Sequence, residues 1–412
     1  MRFLILIFVF VLLTASCYRE VMYEEVDADW FNLTVTSDKQ DFIYSSRDST
    51  YSIEDSELSL SFNDQQVALE EIRVRGNSAT RYQRKSYVVF LSDPIRVVNR
   101  SGGGVKELSR FKLIALTMDY TYIENRVAFG ILEEAGVMPL FFKFVEFRIN
   151  GQTQGVYLLI EDPEAYYQDT GSEFIIRRGY NHTIDDADYL PSSFFIHYEE
   201  YEERFHQIYS SLTRYQGEQL HSILSERLNL DLYFRKMGID YLLQNGDYTD
   251  EIYLYSRVED EAIRFYPIPW DYDDIFSGAP HELNRAWGMG TLFGKRFYET
   301  MEEIYSVVGK TLVYSIEDDL DYSIARDPVL YTYYTSALKD LFNELDSEVI
   351  ERIFTETESE LTTFYNSIAV IEQSQYDQDM TTRKLWIENM SNKKALIINR
   401  LEDINRQLNK QQ

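Results

Sequence analysis

The dipeptide Asn150-Gly151 separates two apolar runs, residues 141–149 and 155–160. Asn followed by Gly takes positive φ at both positions at little cost, which is what a two-residue turn matched to the twist of its strands requires. The spacing therefore predicts a hairpin here, which commits the N-terminal half to an antiparallel sheet. Residues 33–36, 58–62 and 87–91 alternate or run apolar with β-branched and aromatic side chains, and are predicted to be strands as well. Residues 174–176 are expected to add another. Residues 122–135 carry Ile123, Val127 and Ile131 at helical spacing and stop at Gly136, so a helix is expected there. From about residue 201 the pattern turns helical, with an amphipathic helix over 230–244 that ends at Asn245-Gly246. Residues 252–255 and 263–266 form a second hairpin, and 296–408 are mostly helical with mixed charges. The fold class expected is α+β, with a sheet-rich N-terminal half (31–195) and a mostly helical C-terminal half (196–412).

Charge narrows the partners. Forty Lys and Arg face 69 Asp and Glu, a net charge of −29. Phosphate backbones are held by basic surfaces, so a nucleic acid is not an expected partner, whereas a basic protein is. Cys17 is the only cysteine, which excludes an internal disulfide and cysteine-based zinc sites. The five histidines, His182, His197, His206, His221 and His281, form neither an HxH nor an HExxH pattern. Catalysis is thus expected to rest on carboxylates, Lys and Arg.

Arg2, an apolar run over residues 3–13 and the small residues before Cys17 read as a secretory leader, too short to span a bilayer. Small residues next to the only cysteine resemble a bacterial lipobox, although Thr14 stands where Leu is usual. The expectation is a signal peptide over 1–17, lipidation of Cys17, an acidic tether over 18–30, and a cell-envelope lipoprotein whose only membrane contact is its anchor.

Five segments carry chemistry: Arg75-Gly76-Asn77-Ser78 with Arg84-Lys85-Ser86-Tyr87; the first hairpin ending in Glu161; Asn245-Gly246-Asp247; Asp250-Glu251; and Trp270-Asp271-Tyr272-Asp273. Phosphoryl transfer needs a cation for nucleotide phosphates, carboxylates for magnesium, and an acid that takes or orients the acceptor hydroxyl. Asp271 and Asp273 are two apart, so an extended chain points them the same way. The second hairpin folds its ends side by side, which would gather Asp247, Glu251, Asp271 and Asp273. Four carboxylates repel unless a cation neutralises them. With 69 acids in the chain, the same residues also read as a solvated face, Lys85 as a surface lysine and Glu161 as a cap. Ser101-Gly102-Gly103-Gly104 lacks the GK[ST] that completes a phosphate-binding loop.

In this order, the segments resemble the CotH kinase family, a set of atypical protein kinases: RGN-S, a KKSY-like strand, a helix with D-x-x-x-x-RN (here residues 119–125), NG-x-x-x-GVY-x-x-x-E, N-x-D, and WD-x-D. The resemblance covers roughly residues 70–280. It implies a divergent kinase-like fold that binds ATP with Mg²⁺ (or Mn²⁺) and phosphorylates Ser or Thr of a protein. It assigns Asp247 as the catalytic acid, Lys85 to nucleotide phosphates, and Asp271, with Asp273, to the metal. Arg75, Glu161 and one of Arg177 and Arg178 (here Arg178) would support the nucleotide pocket. Two positions depart from the pattern. Glu251 (or Asp250) replaces a metal-binding Asn, and Glu124 replaces an Arg. These departures leave two other readings standing: a kinase scaffold with weak or lost chemistry that serves in adhesion or envelope assembly, and a metal-dependent transferase or hydrolase for another phosphorylated substrate.

Overall fold

The computed structural model describes residues 32–36, 50–52, 59–76, 82, 84–98, 104–119, 122–179, 183–189, 198–249, 251–259, 262–277, 310–365 and 383–410. The leader, Cys17, the acidic tether, Asn77, Ser78, Asp250 and most of the glycine-rich loop lie outside these residues.

Two sheets organise the described chain. The larger has nine strands: β1 Asn32–Thr36, β2 Thr50–Ser52, β3 Ser59–Phe62, β4 Gln65–Val67, β5 Leu69–Arg75, β6 Ser86–Val98, β7 Val105–Ile114, β8 Phe142–Ile149 and β9 Gln152–Glu161, in the order β2-β5-β6-β7-β9-β8-β1-β3-β4. Every pairing is antiparallel except β1 with β8. Asn150 and Gly151 take φ of 51° and 76°, and the hairpin expected around them joins β8 to β9. The smaller sheet runs β11-β10-β12-β13, from β10 Phe174–Arg178, β11 Ile184–Tyr189, β12 Ile252–Glu259 and β13 Ala262–Pro269. Because β10 pairs with β12, this sheet draws strands from both sides of residue 195.

The helices are α1 Glu124–Glu134, α2 Pro163–Asp169, α3 Tyr198–Leu212, α4 Gly217–Arg227, α5 Leu230–Leu243, α6 Asp319–Arg326, α7 Pro328–Glu344, α8 Ser347–Tyr365 and α9 Arg383–Lys410. No described helix is long and apolar enough to cross a membrane. The mixed α/β architecture follows the sequence expectation, with seven of these helices after residue 195.

The two faces of the large sheet bury different cores. Leu33, Ile72, Val89, Phe111, Leu113, Phe147, Tyr157 and Leu159 fill one side. Phe144, Val156, Leu158 and Ile160 on the other join α1, the small sheet and the C-terminal helices in one continuous core. Side chains alternate across a strand, so β7 and β9 each send residues into both cores. The site lies where the second core meets the strand ends.

Candidate active site

The end of β13 leads into Trp270-Asp271-Tyr272-Asp273. Trp270 is buried, and two cations lie on its ring: the Lys112 ammonium 4.5 Å and the Arg75 guanidinium 5.5 Å from the centroid. An aromatic face attracts cations electrostatically, more strongly when water is excluded. Lys112 also lies 5.5 Å from the Tyr253 ring and 3.3 Å from the buried Asp162 carboxylate. Burial pulls the Lys112 ammonium down, against the opposing charge of Asp162. Burial acts to raise Asp162, but Lys112 and Arg110 outweigh it and hold it below its ordinary range. Arg110 reaches Asp162 at 2.7 Å and also pairs with Glu164, while Asp162 caps α2 by accepting the Glu164 N–H at 3.0 Å.

The acids gather beyond Trp270. Asp273 is pushed well above the usual carboxylate range, first by burial and then by Asp271, Asp119, Asp247 and Asp274. Asp119 is fully buried and accepts the Glu124 N–H at the start of α1, at 2.6 Å. Asn125 of α1 accepts the Tyr272 N–H at 2.7 Å, which ties this helix to the Asp271–Asp273 segment. Opposite charges therefore meet at the Trp270–Asp271 bond: Arg75 and Lys112 on one side, five aspartates on the other.

Backbone strain marks the same place. Positive φ is uncommon for residues other than Gly, and cheapest for Asn and Asp. Three such residues, Asn63, Asp64 and Asn150, sit in hairpin turns. The other five described ones are Leu116 and Tyr122 flanking Asp119, Gln244 before Asn245-Gly246-Asp247, and Asp271 and Phe276. Strain of this kind persists only where surrounding contacts impose it. Some of those contacts are visible: the Gly246, Phe276 and Ser277 N–H groups donate to the carbonyls of Asp274, Leu243 and Gln244, at 2.9, 2.7 and 3.1 Å. A methyl group on Gly246 would overlap the Asp274 carboxylate and stand 2.7 Å from Ser277 Cβ, so only glycine allows this approach.

The sequence-predicted residues divide. Asp247, Asp271, Asp273 and Arg75 come to this place. The Lys85 ammonium donates to the Tyr82 carbonyl at 2.6 Å, and the buried lysine on Trp270 is Lys112 of the neighbouring strand, which faces Val88. Glu161 pairs with Lys106 and accepts the Phe141 N–H at 2.9 Å; its neighbour Asp162 is the acid that reaches Lys112. Glu251 is paired with Arg177 at 2.8 Å. Arg178 is buried and donates to the Thr249 carbonyl at 2.8 Å and to Tyr233 at 2.7 Å, with Asp318 at 3.6 Å. It thereby fixes the loop that carries Asp247. Glu124, the departure from Arg, is paired with Lys393 of α9. Lys112, Asp162 and Lys393 escaped the sequence reading as site residues, and Asp119 stood in the helix motif without a role. A lysine flanked by apolar residues in Phe111-Lys112-Leu113-Ile114 gives no signal until the strand is placed.

The Arg178 network titrates in a predictable direction. Burial raises Asp321 from 3.8 to about 6. The folded state thus holds this proton more tightly than the unfolded one. The stability contributed by Asp321 is fully present below about pH 4 and is lost as pH rises through about 6. Asp321→Asn keeps an acceptor for Tyr233, which donates to Asp321 at 2.6 Å. Relative to the parent, it is expected to gain stability steadily from pH 4 to 6.5 in urea unfolding. A pH-independent difference would contradict the assignment.

The carboxylates fit a divalent cation in one respect: they concentrate negative charge on oxygen donors, which Mg²⁺ and Mn²⁺ prefer. Among the described residues no three His, Cys, Asp or Glu side chains stand close enough to hold an ion unaided. Magnesium at a phosphoryl-transfer site takes one or two carboxylates and completes its shell with phosphate oxygens and water.

Known proteins place the chain. No curated relative matches it. Among solved structures, a chain of the Shewanella oneidensis MR-1 toxin–antitoxin complex of HipA, HipB and operator DNA is similar at 11% identity. The match covers 84% of this chain and 64% of that one, with a TM-score of 0.29. The family model for the CotH kinase protein matches residues 72–402, which takes in every described residue of the site. The chain belongs to the CotH kinase family.

Proposed function

We propose that this chain is an ATP-dependent protein kinase of divergent kinase-like fold that transfers the γ-phosphoryl group to Ser or Thr of a basic protein at the cell envelope, where the leader and Cys17 would anchor it. The observation that carries the reading is the junction at Trp270–Asp271, where two partly desolvated cations abut the aspartate cluster. Phosphoryl transfer is mostly positioning and electrostatics, and it needs these two halves side by side.

In this reading Arg75 and Lys112 hold nucleotide phosphates, and Asp162 keeps Lys112 charged and oriented until they arrive. Asp271 and Asp273 would hold Mg²⁺ or Mn²⁺, which when bound neutralises phosphate charge. Asp247 accepts the proton of the acceptor hydroxyl. Arg178 fixes the Thr249 carbonyl and so the approach of Asp247. Glu251, neutralised by Arg177, buttresses the cationic side.

The test compares two lysines in the purified full chain, by transfer of label from γ-labelled ATP with Mg²⁺ or Mn²⁺ and by the ATP-dependent rise in melting temperature. Charged hydrogen bonds contribute about 1.5–3 kcal/mol, so Lys112→Met is expected to weaken ATP binding at least about tenfold. Lys85→Met is expected to weaken it less than about threefold. The reverse order would return the phosphate role to Lys85. Absence of both label and nucleotide binding in the parent would favour the scaffold that lost its chemistry.

A further inference from the structure

Helix α9 brings a lysine to the acidic side of the site from a distant part of the chain. The Lys393 ammonium is ion-paired with Glu124 in the first turn of α1 and lies 5.6 Å from the centroid of the Phe276 ring. It interacts electrostatically with Asp119, and Asp119 in turn acts on Asp273. The ammonium therefore stands beside the aspartate cluster.

Its placement is enforced. Seven residues further along α9, on the same face, Arg400 donates to the Leu242 carbonyl at 2.7 Å and to the Tyr241 carbonyl. These carbonyls close α5, whose end runs into Asn245-Gly246-Asp247. One helix face thus grips the start of α1, which carries Asp119 before it, and the end of α5, which carries Asp247 after it. Lys393 is only partly exposed, and burial lowers its ammonium despite the acids nearby. A pair serving surface charge balance needs neither the anchor nor the withdrawal from water, because exposed pairs contribute little. A lysine is also suited to change partners, being a compact charge on a flexible stem.

We infer that Lys393 is a phosphate-contacting residue of this site, paired with Glu124 until nucleotide binds and then transferred to a phosphate oxygen. The inference rests on the phosphotransfer reading above. The alternative is that Lys393 only neutralises Glu124.

Calorimetry on the full chain separates these, with Mn²⁺-ATP and adenosine as probes and the variants Lys393→Met, Lys393→Arg, Glu124→Gln and Glu124→Gln/Lys393→Met. Lys393→Met is expected to weaken ATP binding about tenfold and leave adenosine binding within twofold. Lys393→Arg should recover most of the ATP affinity. The double variant removes the unpaired Glu124 and should regain the urea midpoint while remaining weak for ATP. Parental ATP affinity in the double variant overturns the inference, and so does an equal loss for adenosine. A parent chain that fails to bind Mn²⁺-ATP instead overturns the phosphotransfer reading itself, and with it this role.

Discussion

Asp247→Asn is expected to cut phosphoryl transfer by about 10² to 10⁴-fold, the usual contribution of a positioned proton acceptor, while nucleotide affinity changes less than about threefold. Asn keeps the shape of the side chain and its oxygen, so the loop fixed by Gly246 and by the Arg178–Thr249 bond stays in place. What it loses is the ability to take a proton from an incoming hydroxyl. Single-turnover measurement of labelled product separates this from a binding defect. Transfer at the parental rate would move the acceptor role to another of the five aspartates.

The second large effect is on stability. Asp240 and Lys236 form a buried ion pair at 2.7 Å on α5, each side chain only 2% exposed, and Asp240 also accepts the Tyr272 hydroxyl at 2.7 Å. Asp240→Ala strands a buried ammonium and a buried phenol at once. Removing one partner of a buried pair typically destabilises by about 3–5 kcal/mol, and a corresponding fall in the urea midpoint is expected. Lys236 lies 5.6 Å from the Tyr248 ring, so the disturbance should reach the Asp247 loop and lower activity at temperatures where the fold survives. A loss under about 1 kcal/mol would mean that water reaches Lys236 once Asp240 is gone.

Sequence reasoning reached some of this and missed the rest for identifiable reasons. The Asn150-Gly151 hairpin, the helix after Ile123 and the strand pair around residues 252–269 were legible because local chemistry and hydrophobic period agree there. β7 was not, because Lys106, Glu107, Arg110 and Lys112 interrupt its apolar residues. Three of these charges are held in ion pairs with Glu161, Asp162 and Glu164, acids that lie about fifty residues further along. A window along the chain cannot see such partners. For the same reason Lys85 stood out, sitting in a recognisable motif, while Lys112 did not. Glu161 and Asp162 are adjacent and point to different neighbours, a distinction set by where β9 ends and α2 is capped. Glu124 read as a lost cation until α9 was seen to bring Lys393 to it.

The span of the site along the polypeptide has a consequence for its biosynthesis. Its parts run from Arg75 to Lys393, and β10 finds its partner β12 some 75 residues later. Chains emerge from their N-terminus, and contacts distant in sequence close slowly. A nascent or prematurely truncated chain carries the cations of the large sheet without Asp247, or the aspartates without the clamp of α9. If the proposed site is the catalytic one, activity is withheld from incomplete chains: proteolytic clipping before α9 would leave a fragment with much of its core and an unfinished site.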